Sequence, residues 1–176
     1  MILAVLLLLN LSFSHEPVPT LEQVKEHVLT YPTIVKLHPP TVHFAISLPF
    51  ATLISGFYFM LRWRKLEPVV HLFSLLTLIS LATAVATGYY VHQSITNIPL
   101  HAEAVELLHM HQRVGFVLLF IALINFTLTL LYSFKKNPFL AYLFIAINLL
   151  LCVGVVYQGS LGGSLVYDYS VGVPIK

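Results

Sequence analysis

Charged side chains are scarce in this chain of 176 residues, of which Asp, Glu, Lys and Arg make up only 9%. The formal net charge of +2 is too small and too scattered to indicate nucleic-acid binding. The single cysteine, Cys152, cannot form an internal disulfide. The sequence also lacks C-x-x-C and H-E-x-x-H motifs, which argues against a thiolate metal site or a hydrolytic zinc site.

Hydrophobic residues are abundant instead, at 58% of the chain, and they form four long apolar runs. Each run is long enough for a helix to cross the hydrocarbon core of a bilayer. No acidic residue interrupts any run, so a proton relay or cation ring, and with it transport, is disfavoured. The sequence predicts an all-α membrane protein, a four-helix transmembrane bundle with spans near residues 41–61, 69–91, 114–134 and 138–157.

The chain before the first span has two parts. Residues 1–14 form a short apolar stretch ending in small residues, which predicts a signal peptide, with a retained anchor as the alternative because a basic start is missing. Residues 15–37 then form an external segment, in which Thr20 and Gln23 have the spacing of a capping box. We expect a short surface helix there, followed by the transmembrane domain over residues 38–173.

Orientation follows from the basic residues. Five of the nine lysines and arginines fall in the connections after the first and third spans, at residues 62–65 and 135–136. Basic loops stay in the cytoplasm, so both mature termini and the loop of residues 92–111 are expected outside. Six of the nine histidines fall at that outer end: His38, His43, His92, His101, His109 and His111. Because an ionisable group at membrane depth is rare, this clustering is the best indication of function.

Three of these histidines are expected at similar depth on three helices. His43 lies about one turn into the first span, His92 ends the second, and His109 precedes or opens the third. We expect two of the three to ligate a b-type haem between helices, in a membrane redox subunit that passes electrons. His101 is expected to be solvated.

The neighbours of these histidines suit such a site. Gly88 shares a helix face with His92 and would leave room for a flat ligand. Arg113 shares a face with His109 and would hold a haem propionate. His109 and His111 point in nearly opposite directions on a helix, so at most one of them is expected at a central site. Asn125 and Asn148 are expected to bond across helices near mid-membrane, and the glycine-rich residues 159–167 to cap the fourth helix or to fold back over the histidines.

Two alternatives stay open. In one, the histidines bind a copper, zinc or iron ion directly, with neutral imidazoles as ligands and water completing the shell. The candidate ligands are then His38, His43, His92, His109 and His111. In the other, the chain is a non-catalytic structural or assembly subunit of an envelope complex.

Two motifs indicate a family. The opening His38-Pro-Pro-Thr-Val-His43-Phe and the closing Gly162-Gly-Ser-Leu-Val-Tyr167, followed by Val-Gly-Val, resemble the bacterial membrane family called domain of unknown function 2231. The resemblance covers residues 38–173 and implies a four-span domain. His38, His43 and the Gly162–Gly163 pair match the family pattern.

The resemblance also suggests a setting. Members occur joined to Rieske or cytochrome c modules, which suggests redox partners of those types, with quinol as another candidate. The location expected is the bacterial inner membrane, with the histidine-rich end facing the periplasm. The chain departs from the family at Ala45, where a proline is usual, and at Tyr169-Ser170, where His-Gly is frequent, so a ligand role for the tail does not carry over.

Overall fold

The computed structural model describes residues 36–95 and 100–171. The signal peptide and the short surface helix expected from the sequence lie outside this part of the chain. Four helices follow one another: α1 (His38–Trp63), α2 (Pro68–Ile95), α3 (Ala102–Lys135) and α4 (Pro138–Tyr167). All four are long and apolar enough to cross a membrane, which confirms the four-helix membrane architecture.

The bundle is closed. Each helix packs against two neighbours, α1 with α2, α2 with α3, α3 with α4 and α4 with α1. The α1–α2 and α3–α4 connections are tight turns at one end, here called the short-turn end. The other end, which carries the histidines, is here called the histidine end.

Local sequence fixes the helix boundaries at the short-turn end. α1 and α3 both finish in a left-handed residue, Arg64 and Lys136, whose N–H bonds back to Met60 and Tyr132. α4 begins at Pro138, and the side chain of Asn137 accepts a hydrogen bond from the Phe139 N–H at 2.9 Å. Such caps stop each helix at the end of its apolar run.

Two helices run further than expected at the histidine end. α3 begins at Ala102 instead of near residue 114, and α4 continues to Tyr167, so the glycine-rich segment does not fold back over the histidines. Polar residues before a span extend a helix readily, because a helix satisfies its own backbone outside lipid as well as inside. In α4, burial of Leu161 and Leu165 offsets the roughly 1 kcal/mol that each glycine costs a helix.

The two hairpins repeat one pattern of burial. Ala45, Pro49, Thr52 and Gly56 of α1 are buried, and so are Leu118, Ala122, Asn125 and Thr129, each 73 positions later in α3. Val70, Ser74, Thr77 and Leu81 of α2 are buried, and so are Phe144, Asn148, Leu151 and Val155, each 74 positions later in α4. At these eight pairs of positions the two hairpins therefore repeat each other in burial.

Equivalent positions form polar layers across this core. Ser74 Oγ bonds Asn125 Oδ1 at 3.4 Å, and the Asn125 amide donates to the Phe144 carbonyl at 2.9 Å. The Asn148 amide donates to the Pro49 carbonyl at 2.9 Å. The Ser74–Asn125 and Asn148–Pro49 bonds join the two hairpins, and the Asn125–Phe144 bond joins α3 to α4. Both asparagines thus bond across helices, as the sequence predicts.

Candidate functional site

The repeat brings two histidines and two glycines to one level at the histidine end. His111 follows His38 by 73 positions and Gly162 follows Gly88 by 74, the offsets that relate the buried residues. We call these four residues the histidine–glycine layer. Its imidazoles come from α1 and α3, which are diagonal in the bundle, and its glycines from α2 and α4.

Each imidazole rests on the glycine of its own hairpin. A Cβ built on Gly88 would lie 2.9 Å from His38 Cε1, and one built on Gly162 would lie 3.1 Å from His111 Cε1. A side chain at either glycine would therefore force the ring to move. The sequence predicts that Gly88 leaves room for a ligand beside His92, but the structure places the His38 ring against this glycine.

Hydrogen bonds orient the layer. His38 Nδ1 lies 3.0 Å from the Thr87 hydroxyl, which also contacts Thr41 Oγ1 at 3.1 Å. The Gln158 amide donates to the His111 backbone carbonyl at 2.8 Å. Within the part of the chain that the structure describes, His111 Nδ1 and Gln158 Oε1 are buried without a hydrogen-bond partner. An unsatisfied imidazole nitrogen in a membrane interior is costly unless a ligand or water completes it.

Apolar clusters enclose the layer on both sides. Below it lies a cluster built around Ala45, Leu81, Leu118 and Val155. Above it, the extensions of α2, α3 and α4 pack Ile95, Leu108, Leu165 and Val171 together. The histidine–glycine layer thus has a low-dielectric environment although it lies close to the end of the bundle.

A second histidine pair lies between α2 and α3. The rings of His92 and His109 have centroids 5.5 Å apart, and His92 Nδ1 bonds Gln112 Oε1. His92 is only 2% exposed. His109 and His111 belong to different groups, as their spacing on the helix requires.

The structure leaves several predicted site residues outside these groups. His43 lies on an exposed face of α1, because five helical positions after His38 turn the chain by about 140° away from the core side. Arg113 is also exposed, two positions beyond His111 and on the opposite side of α3. His101 is exposed at the start of α3. His38, which the sequence predicts only as a possible metal ligand, is the α1 histidine that reaches the core.

Sequence reasoning also missed the polar partners, Thr87, Gln112 and Gln158. For Gln158 the sequence holds a signal in its position. It lies four residues before Gly162 on α4, just as the buried Ala84 lies four residues before Gly88 on α2. Among the described residues, no group of three His, Cys, Asp or Glu side chains has an arrangement that could hold a metal ion.

Fold and site together define a membrane protein of four helices whose apolar core is interrupted near one end by facing histidines and glycines. The family model described as "Predicted membrane protein (DUF2231)" matches residues 35–174. The chain therefore belongs to that family, which confirms the resemblance of its end motifs. No curated protein and no solved structure matches the chain.

Proposed function

We propose that the histidine–glycine layer binds a b-type haem and that the protein is a membrane redox subunit. The observation that carries this proposal is the pairing of two imidazoles on diagonal helices with two glycines on the helices between them. A b-type haem takes two imidazole ligands, and each glycine lets one imidazole pack close against the neighbouring helix.

The residues fit this group. The Thr87 hydroxyl engages His38 Nδ1, as a second hydrogen bond orients the imidazole of a metal-bound histidine. His111 Nδ1 lacks a partner in the described chain. These observations favour His38 and His111 as the ligand pair over His43, His92 and His109.

A bound haem would supply one-electron chemistry at this level. The chain would exclude water with its two apolar clusters and hold the imidazoles by packing each on a glycine. Exclusion of water would tune the redox potential.

The setting we propose is the bacterial inner membrane with the histidine end toward the periplasm. The basic residues of the short-turn end support this orientation. Partners that fit are redox modules of cytochrome c or Rieske type, or quinol reaching the bundle from the bilayer. Direct binding of a copper, zinc or iron ion is less supported, because a haem needs only two imidazoles whereas a structural ion site usually takes four ligands.

The test is an air-oxidised minus dithionite-reduced visible spectrum of protein purified in mild detergent from a haem-replete host, with haem and metals quantified. We expect near-stoichiometric haem and a Soret band that shifts on reduction. Both should be lost in His38→Ala and His111→Ala and kept in the matched control His43→Ala, whose side chain is exposed.

Other outcomes would overturn the proposal. A colourless protein with stoichiometric metal would indicate direct metal binding, and one with neither cofactor would indicate a structural or assembly subunit. Loss of the band in His92→Ala and His109→Ala, with retention in His38→Ala, would move the haem to the second histidine pair.

A further inference from the structure

Basic side chains gather at the short-turn end, far from the histidines. Both turns carry them, and all are exposed: Arg62, Arg64 and Lys65 in the first, Lys135 and Lys136 in the second. Within these two turns the acidic residue is Glu67, which pairs with Lys65 at 2.6 Å. Among the described residues, no ion pair compensates Arg62, Arg64, Lys135 or Lys136.

Tyr132 joins the two turns into one surface. Its hydroxyl accepts a hydrogen bond from the Leu66 N–H at 3.2 Å, and its ring lies under Lys136 Nζ at 5.6 Å. Tyr132 is only 4% exposed, so the joint is built into the bundle. The basic residues of both turns thus share one fixed platform, which we call the basic platform.

Two of these basic residues occupy costly backbone positions. Arg64 and Lys136 have φ of 53° and 50°, in the left-handed region. Glycine is the usual residue at such a helix end, and a side chain there costs about 1 kcal/mol. Both turns nevertheless carry a cation at the equivalent cap position, and attraction to the helix dipole offsets only part of that cost.

The depth of the platform matches lipid headgroups. Trp63 lies next to Arg62, whose guanidinium carbon is 5.9 Å from the indole centroid. Leu61 and Phe134, just before the turns, are 82% and 85% exposed and face the hydrocarbon. Tryptophan marks the membrane–water boundary, so the uncompensated cations lie at the level of phosphates.

We propose that the basic platform binds the headgroup of an anionic phospholipid, with its phosphate between the two turns and its acyl chains along the exposed apolar faces of the helices. Cations at headgroup level attract anionic lipid, and a fixed pair of turns can hold one headgroup where scattered cations would only enrich a leaflet. This binding is independent of any cofactor at the histidine end.

The test uses Trp63, the only tryptophan of the chain, as its probe. The full protein is reconstituted into vesicles of brominated phosphatidylglycerol and unlabelled phosphatidylcholine, and in parallel into vesicles in which phosphatidylcholine carries the bromine instead. Quenching of Trp63 in the two preparations gives the affinity for phosphatidylglycerol relative to phosphatidylcholine. We expect a preference for the anionic lipid of at least about fivefold, since one basic residue at an anionic surface contributes about that factor. The preference should decline as salt is added.

The variant is the triple Arg64→Gln, Lys135→Gln, Lys136→Gln, which spares Arg62 beside the probe. It should lower the preference at least severalfold, with Arg62 and Lys65 accounting for what remains, whereas the matched control Lys36→Gln, Arg113→Gln, which removes exposed cations elsewhere, should leave it unchanged. Glu67→Gln should raise it, because Lys65 is released.

An equal preference in the triple variant and the parent would overturn the proposal, and so would a preference in the parent that salt does not reduce. If the triple variant fails to reconstitute, the salt dependence of the lipid preference in the parent protein tests the proposal. The lipid preference is also measured in phosphate buffer and in chloride at the same ionic strength. Loss of the preference in phosphate alone would indicate a site for free phosphate and not for lipid.

Discussion

The imidazole of His38 packs so closely on Gly88 that a Cβ there would lie 2.9 Å from Cε1. We predict that Gly88→Ala displaces the ring while changing the melting temperature by only a few degrees, because the gain in helix propensity, about 1 kcal/mol, offsets the contact. The proposed haem content should fall at least severalfold. Haem per protein and thermal melting, measured on the same sample, check both parts.

Gly163 provides the matched control. It lies one residue beyond the layer, and a Cβ there meets nothing within 4 Å. Gly163→Ala should therefore keep the cofactor and melt at the same or a slightly higher temperature. Equal loss of haem in both variants would show that the effect comes from helix stiffness and not from the His38 contact.

The polar layer near mid-membrane yields a second prediction. Ser74 is bonded to Asn125, whose amide also bonds the Phe144 carbonyl. Asn125→Ala should lower the free energy of unfolding by about 1 kcal/mol, and Ser74→Ala by less, because hydrogen bonds in membrane proteins average about 0.6 kcal/mol. Unfolding in mixed micelles with increasing dodecyl sulfate measures both.

The double variant tests whether the contact is real. If Ser74 and Asn125 share one hydrogen bond, the combined loss should be smaller than the sum of the two single losses. Strict additivity would contradict the bond. Thr127→Ala is the control, since its exposed hydroxyl bonds only the Leu123 carbonyl of its own helix.

Much of the fold follows from the sequence because it depends on quantities that a sequence displays. Apolar runs of sufficient length predict the four spans, and basic clusters locate the two turns. Mid-membrane amides predict cross-helix bonds, and Asn125 and Asn148 make them. Predicting these features requires only the composition of each segment and the depth of each residue in the membrane.

The site was harder to predict because it depends on rotation about each helix axis. Pro39 and Pro40 fix where α1 begins but not which face turns inward. Since each residue turns a helix by about 100°, His38 faces the core and His43 is exposed, although both lie near the same end. The equivalence of His38 and His111 across the two hairpins is the sequence signal that would have decided between them.

A third prediction concerns a close contact between α3 and α4. A Cβ on Gly154 would overlap Leu118 Cδ2, in the apolar cluster below the histidine–glycine layer. Gly154→Ala should lower the free energy of unfolding by up to about 2 kcal/mol, because overpacking a core costs about 1–3 kcal/mol and the gain in helix propensity offsets about 1 kcal/mol of that. Adding Leu118→Ala should remove the overlap, so that the double variant is more stable than the sum of the single losses predicts.

Gly159→Ala is the control for that prediction. Its Cβ would meet Ile46 Cδ1 at an ordinary 3.8 Å, so the free energy of unfolding of Gly159→Ala should equal that of the parent or exceed it by up to about 1 kcal/mol. Similar losses at Gly154 and Gly159 would mean that α4 is intolerant of alanine for reasons other than the Leu118 contact.

The last prediction concerns the joint between the two turns. Tyr132→Phe removes the hydroxyl that accepts the Leu66 N–H and leaves that buried donor unsatisfied, while the ring under Lys136 remains. Because an orphaned buried donor costs about 1–3 kcal/mol, we expect a loss of that size in the free energy of unfolding. Tyr142→Phe, at an exposed position, should be neutral. Hydrogen exchange at the Leu66 amide should also become faster in Tyr132→Phe alone, and unchanged exchange there would contradict the bond that joins the turns.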